Sequence, residues 1–374
     1  MLDRAGAVLR QLKGGLNRRF AQFSRDPLTA QLYRGYRSES RLFLQGRVLE
    51  DERIEVAETD RRWRNFVNAI RRFESDEVAG ARVRVEAGGE VFDATTDAEG
   101  YFEIHEPLGA DERAGLWQPT RARIVDTPSG RASAETFAGE YANLRASAEY
   151  AIVTDIDDTI LRTYVTSLFK LRALYHTLVD NAHTRVTFDG AVELFEQLSR
   201  GTGAGHDRNP VFYLSRSPWN LYDMLENFLD VKGFPKGPIF LRDVGLPYEN
   251  TPTERGHKAG TLYRLIEDFP GLRFILVGDS GERDADIYRE VATSHPERVA
   301  AIVIRNVKNN ANARRIARMF ARPRPAGQHW FLVADSAEAA HRLCEVGLLD
   351  EAQRAAVTRE ETPEEAGDGA AVAA

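Results

Sequence analysis

The chain has 374 residues, 43% hydrophobic, 29% charged and 9% aromatic, with a formal net charge of −7. That is a two-domain length at roughly 100–200 residues per domain, and the composition excludes a collagen-like repeat or wholesale disorder. The longest strictly apolar run, Val299–Ile304, is far short of the about 20 residues that span a bilayer. Met1-Leu2-Asp3-Arg4 lacks the apolar core of a signal peptide. The single cysteine, Cys344, excludes a disulfide framework or a Cys-rich zinc site. These features set the expectation of a cytoplasmic protein.

Residues 1–40 form the first region. Leu9, Leu12, Leu16, Phe20 and Phe23 recur at three- and four-residue steps beside Arg10, Lys13, Arg18 and Arg19, a basic amphipathic pattern. Residues 1–41 hold nine basic and three acidic side chains. Two readings stand: a segment in peripheral contact with an anionic inner-membrane surface, or a helix docked on its own protein and weakened by Gly14-Gly15. The acidity of the whole chain argues against a nucleic-acid partner.

Residues 41–147 read as a small all-β sandwich. Short alternating runs occur at Arg41–Leu49, Ala81–Glu86, Glu90–Thr96, Tyr101–His105, Arg121–Asp126 and Ala132–Phe137, separated by turn signals such as Gly88-Gly89. Between them, Trp63, Phe66, Val67, Ile70 and Phe73 share one face of an expected helix. Thr95-Thr96-Asp97-Ala98-Glu99-Gly100-Tyr101-Phe102 resembles the hairpin of transthyretin-like or carboxypeptidase-regulatory domains. No catalytic cluster appears here, so a targeting, substrate-presenting or structural role is expected.

Residues 148–350 alternate strand and helix. Buried-strand runs at Tyr150–Thr154, Val211–Leu214, Phe274–Val277, Val299–Ile304 and Trp330–Val333 are interleaved with helical patterns at Pro218–Leu229, Gly256–Phe269, Arg283–Ala292 and Ser336–Val346. Such alternation predicts an α/β unit on a mainly parallel sheet, with ligands outside the carboxyl ends of the strands. Residues 351–374, Ala- and Glu-rich without periodicity, are expected to be a disordered acidic tail.

The chemistry gathers at those strand ends. Tyr150–Thr154 runs into Asp155-Ile156-Asp157-Asp158-Thr159, and Asp155 and Asp157 face the same way. Carboxylates at a buried strand end need a cation or a proton; a solvated acidic turn is the competing reading. Phe274–Val277 likewise ends in Gly278-Asp279-Ser280-Gly281-Glu282-Arg283-Asp284, whose hard oxygens suit Mg²⁺. Val211–Leu214 ends in Ser215-Arg216-Ser217-Pro218, with Pro218 expected in a first helical turn and Ser217 as its cap, a place for a phosphate. Lys258 opens the next helix. It is one of six lysines in a chain whose other cations are arginine, which favours a point-charge role over a merely solvated one.

Asp155, Asp157, Thr159, Ser215, Lys258, Asp279 and Asp284, in this order, resemble the signature of the haloacid dehalogenase superfamily. The longer wording is similar to the App1 phosphatidate phosphatase catalytic-domain family. It comprises Asp155-Ile156-Asp157-Asp158-Thr159-Ile160, Leu214-Ser215-Arg216-Ser217-Pro218-Trp219, Leu241-Arg242-Asp243 and Leu276–Asp284. Tyr33-Arg34-Gly35-Tyr36 and Gly46-Arg47-Val48-Leu49 also look like that family. The resemblance implies a Rossmannoid parallel sheet with helices on both faces. It also implies a Mg²⁺-dependent phosphomonoesterase whose substrate is a lipid. Asp155 would be the nucleophile and Asp157 the general acid and base. Asp155, Asp157, Asp279 and Asp284 would form the metal site, and Ser215 and Lys258 would hold phosphate oxygens. Thr159 would orient the loop. Asp158, Arg216, Ser217 and Arg242 would serve specificity or structure, with Arg216 and Ser217 placed on the substrate side. A stripe of Val165, Leu168, Leu171, Leu174, Tyr175 and Leu178 would be either a small flap over the site or an ordinary packed helix. A phosphoprotein or soluble ester as substrate, and a non-catalytic adaptor, are the competing functions.

Overall fold

Along Arg82–Ala87 the odd-numbered side chains, Val83, Val85 and Ala87, are buried while Arg82, Arg84 and Glu86 are exposed. This period of two is what a strand with one face on a core requires. It recurs in the computed structural model, which describes residues 26–50, 77–109, 115–144, 148–156, 189–202, 208–242, 256–281, 283–307 and 311–361. The 9–23 stripe, the 63–73 helix, Asp157, Asp158, Thr159 and the 165–178 stripe lie outside the described residues. Two compact units divide the chain. One takes in Met1–Arg145, Pro218–Met224 and Asp243–Pro247; the other takes in Ala146–Ser217, Leu225–Arg242 and Tyr248–Ala374.

The first unit is all β among its described N-terminal residues. Its strands are β1 (Leu28–Leu32), β2 (Gly35–Arg37), β3 (Arg41–Glu50), β4 (Arg82–Ala87), β5 (Glu90–Thr95), β6 (Tyr101–Pro107), β7 (Trp117–Asp126) and β8 (Phe137–Asn143). They form one hydrogen-bonded network, β1-β3-β2-β8-β7-β4-β5, with β6 on the second edge of β3. The long β3 makes this branching possible: it pairs antiparallel with β2, β1 and β6 along its length. Leu42, Leu44, Val48, Val83, Val85, Phe102, Ile104 and Ile124 therefore meet in one apolar core. Gly88 and Gly89, at φ 62° and 87°, turn β4 into β5, the left-handed pair that a tight hairpin demands.

Two details depart from the sequence reading. β1 and β2 arise inside residues 1–40, beyond the 9–23 stripe, where no strand was expected; Leu28 and Ala30 are buried by their alternation. The strand expected at Ala132–Phe137 lies later, at Phe137–Asn143, because Tyr141, Ala142 and Asn143 are the buried residues and Ala132–Glu135 have little to bury.

The second unit carries a sheet of β9 (Tyr150–Asp155), β10 (Val211–Pro218), β11 (Ile239–Arg242), β12 (Arg273–Asp279), β13 (Val299–Arg305) and β14 (His329–Val333), in the order β11-β10-β9-β12-β13-β14. The pairs β10–β9, β9–β12, β12–β13 and β13–β14 are all parallel. Helices flank it: α1 (Asp189–Arg200), α2 (Tyr222–Lys232), α3 (Gly256–Asp268), α4 (Asp284–Ser294), α5 (Ala311–Phe320), α6 (Ser336–Glu345) and α7 (Glu351–Glu361). Strands covered on both faces bury every residue, hence the near-continuous apolar runs of β9 and β13.

Two expectations are corrected. β10 runs through Pro218 and is followed by a 3₁₀ turn at Trp219–Leu221 before α2. Pro218 is thus not in a first helical turn and Ser217 does not cap the helix; a residue before proline is held extended. Residues 351–361, read as the start of a disordered tail, form α7. Val357 is fully buried, and Gln353 Nε2 donates to the carbonyls of Gln197 (3.0 Å) and Gly201 (2.9 Å). A single well-placed valine and an amide that serves two carbonyls are too sparse a pattern to register as a helical stripe.

Candidate active site

β9 is the third strand of six, and Ala151, Ile152 and Val153 are fully buried. It delivers Asp155 to the carboxyl edge of the sheet with a side chain 2% exposed. α3 brings Lys258 to the same point from the neighbouring layer. Its Nζ lies 2.7 Å from Asp155 Oδ2 and 3.0 Å from Asp284 Oδ1, and the Asp284 side chain is 1% exposed. Two buried carboxylates thus share one buried ammonium. Burial pushes the Asp155 carboxyl well above the usual carboxylate range and the adjacent Asp284 pushes it further, while Lys258 opposes both. Such a charge-crowded cluster is characteristic of functional sites.

Gly278 explains how Asp284 reaches this cluster. A Cβ on Gly278 would stand 2.7 Å from Asp284 Oδ2, 2.8 Å from Asp284 Cβ and 3.0 Å from Tyr288 Cε2. The first residue of α4 therefore packs directly on the β12 backbone, a close approach that only glycine permits.

Asp279, 6% exposed, ends β12, and its Oδ1 accepts the Gly281 N–H at 2.5 Å. Asp155 and Asp279 line one cavity of about 70 Å³, with Thr154, Tyr213 and Arg305 also in its wall and Leu194, Phe195, Phe228, Leu229 and Phe234 forming its apolar side. Two hard-oxygen donors on adjacent strands are the kind of set that Mg²⁺ takes together with waters. Among the described residues no three His, Cys, Asp or Glu side chains gather closely enough to hold a metal ion; Asp157, the further expected ligand, lies outside them.

Ser215 lies one residue beyond Leu214, the β10 partner of Asp155, and is fully buried. Its Oγ accepts the Ser217 N–H at 3.0 Å. Arg216 is exposed, and neither it nor Ser217 lines the cavity. The structure thus joins Asp155, Lys258 and Asp284 in one cluster, adds Asp279 through the shared cavity, and sets Ser215 beside Asp155 on the next strand.

Sequence reasoning missed the brace behind Asp279. Buried Ser280 donates its N–H to the Arg305 carbonyl (2.8 Å), its Oγ accepts the Val307 N–H (3.1 Å), and its carbonyl accepts from Asn312 Nδ2. Arg315 then donates to Asn312 Oδ1 (2.8 Å) and bidentately to Asp286 (2.7 and 2.9 Å). These links tie the loop after β12 to β13, α5 and α4. Arg305 was missed too, although it ends an apolar strand as Asp155 and Asp279 do.

Comparison with known proteins adds a likeness over part of the chain. Residues 150–306 match the model described as the catalytic domain of phosphatidate phosphatase APP1. Phosphatidate phosphatase APP1 of Saccharomyces cerevisiae is 32% identical over 200 residues, covering 51% of this chain and 32% of that protein. An uncharacterised protein of Schizosaccharomyces pombe is 27% identical over 221 residues, covering 59% of this chain and 35% of that one. The chain thus spans about a third of the length of both curated relatives. Among solved structures, a carbohydrate acetylesterase from Xanthomonas citri overlays with a TM-score of 0.29 at 8% identity over 90% of this chain and 74% of its own, too low to indicate a common fold.

Proposed function

We propose, from the match of residues 150–306 to the phosphatidate phosphatase APP1 catalytic-domain model, that the protein belongs to that family and hydrolyses phosphatidate to diacylglycerol and phosphate by haloacid dehalogenase-type chemistry. The observation that carries the reading is the buried Asp155–Lys258–Asp284 cluster at the carboxyl end of a central parallel strand. A carboxylate that crowded has use as a nucleophile and little as a structural group.

In this reading an Asp155 oxygen attacks phosphorus, the bond from phosphorus to the glycerol oxygen breaks, and Asp157 gives the departing alkoxide a proton. Asp157 then removes a proton from a water that attacks the aspartyl-phosphate, releasing phosphate and restoring Asp155. Ser215 and Lys258 hold the non-bridging oxygens, where charge stabilisation supplies most of the rate. Asp155, Asp157, Asp279 and Asp284 would hold Mg²⁺, which when bound would supply the positive charge that lets carboxylate and phosphate approach. The basic residues 1–41 suit an encounter with an anionic lipid surface.

The test is Mg²⁺-dependent phosphate release from short-chain phosphatidate beside a panel of soluble phosphomonoesters. Asp155→Asn is expected to abolish turnover while the fold survives, and a fully active variant would overturn the mechanism. Release from soluble esters alone would move the substrate and keep the catalytic residues.

A further inference from the structure

We propose that Arg305 is a substrate-binding residue of the same site, taking a non-bridging oxygen pair of the phosphomonoester; the proposal rests on the phosphatase reading above. Arg305 is the last residue of β13, in register with Asp279 on β12 and Val333 on β14. It therefore stands on the carboxyl edge of the parallel sheet, where such sheets bind ligands. Its half-buried side chain lines the cavity that Asp155 and Asp279 also line. Its main chain is fixed by the brace that holds the Asp279 loop, through the bond from the Ser280 N–H to the Arg305 carbonyl.

Charge decides what such a residue is for. The cavity wall carries the carboxyl groups of Asp155, Asp279 and Asp335. Lys258 is committed to Asp155 and Asp284 at 2.7 and 3.0 Å and is not in that wall. A phosphomonoester arriving here brings still more negative charge, which a single shared ammonium does not offset. Among the described residues the Arg305 guanidinium has no ion-pair or hydrogen-bond partner. Other partly buried arginines of this unit are engaged: Arg298 donates to the carbonyls of Ile266 and Leu272, and Arg315 to Asp286. A planar fork of donors, always charged and held on a rigid strand, matches two oxygens of one phosphate. Arg305 thus provides a cation that the Asp155 cluster does not consume.

The experiment compares the wild type, Arg305→Gln and Arg305→Lys in two measurements with Mg²⁺ present. One is orthophosphate binding by calorimetry, and the other is hydrolysis of short-chain phosphatidate and soluble esters. Arg305→Gln is expected to weaken orthophosphate binding by about ten- to hundredfold, the ratio carried by a hydrogen bond to a charged group. It should raise KM in proportion while kcat changes less than about threefold, the pattern of lost uniform binding. Arg305→Lys should recover part of the loss, because it keeps the charge and loses the fork. Unchanged orthophosphate affinity in a variant with the wild-type thermal midpoint overturns the proposal, as does a wild type that binds no orthophosphate. If the Gln variant does not fold, the Lys variant decides: wild-type affinity and KM there overturn the fork contact. A wild type that binds orthophosphate through Arg305 but hydrolyses no ester sinks the phosphatase reading and leaves the Arg305 contact standing.

Discussion

Lys258 neutralises two buried carboxylates at once, which makes it the most exposed point of the site to substitution. Lys258→Met leaves Asp155 and Asp284 facing each other without a counter-ion, and removal of one partner from a buried ion cluster costs about 3–5 kcal/mol. That loss should appear in urea unfolding at neutral pH without metal, and adding Asp155→Asn should recover much of it, because only one acid then remains. A different balance holds at Glu196. Burial alone would raise its carboxyl, but hydrogen bonds from Arg208 (3.0 and 2.9 Å) and Arg200 (3.0 Å) hold it below the usual range. A folded-state pKa below the unfolded one gives stability that is present above the unfolded value and lost as pH falls through the folded one. Glu196→Gln is therefore expected to melt below the wild type at pH 7, with the gap closing below about pH 4, the ordinary range of a glutamate. Thermal midpoints of both proteins across that interval check it; a gap independent of pH would contradict the ion-pair account.

At the scale of elements, the contact of β12 with α4 decides whether the acidic cluster forms. The space for a methyl group at Gly278 is taken by Asp284, 2.7 Å away, so Gly278→Ala must displace the start of α4. The expected result is a loss of activity far larger than the loss of stability, because overpacking typically costs about 1–3 kcal/mol while Asp284 leaves its place on Lys258. Activity and unfolding of the same variant check it; wild-type turnover would show that Asp284 is dispensable where it stands. The element boundaries themselves were mostly legible. α3 and α6 fall where the periodicity put them, at Gly256–Asp268 and Ser336–Glu345. α5 was not singled out, although Ala313, Ile316 and Phe320 mark its buried face; its three arginines make the segment read as polar.

The whole molecule is two units, and each of them is discontinuous in the chain. The first unit includes Pro218–Met224, which directly follows the Ser215-Arg216-Ser217 motif in the chain. Within that unit Tyr33 stacks on Trp219 at 4.4 Å and meets Tyr222 at 4.4 Å, and the Arg34 N–H donates to the Tyr222 hydroxyl at 2.7 Å. Buried aromatic contacts of this kind are costly to delete. Trp219→Ala should destabilise the protein by about 3–5 kcal/mol, with hydrogen exchange rising in β1 and β3 although the residue lies within residues 150–306, the stretch that matches the family model. Unaltered exchange in those strands would show that Trp219 is not part of their unit. Tyr33-Arg34-Gly35-Tyr36 was visible in the sequence as a family-like motif, but its partner was not, because 185 positions of chain separate Tyr33 from Pro218.

What the sequence determined by itself was local and periodic: a β unit followed by an α/β unit, the strands that end in Asp155 and Asp279, and the family wording around them. Each of these depends on neighbours within a few residues, where alternation, turn chemistry and apolar runs act directly. What only the tertiary structure decided was pairing at long range. It placed Lys258 between Asp155 and Asp284, packed Asp284 on Gly278, braced Ser280 from β13 and α5, and set Arg305 in the wall of the same cavity. It also turned Glu351–Glu361 into a helix seated on α1. Those outcomes follow from strand order and helix packing, which bring together side chains whose spacing along the chain carries no period, and a charge reveals its partner only once the fold has removed the water between them.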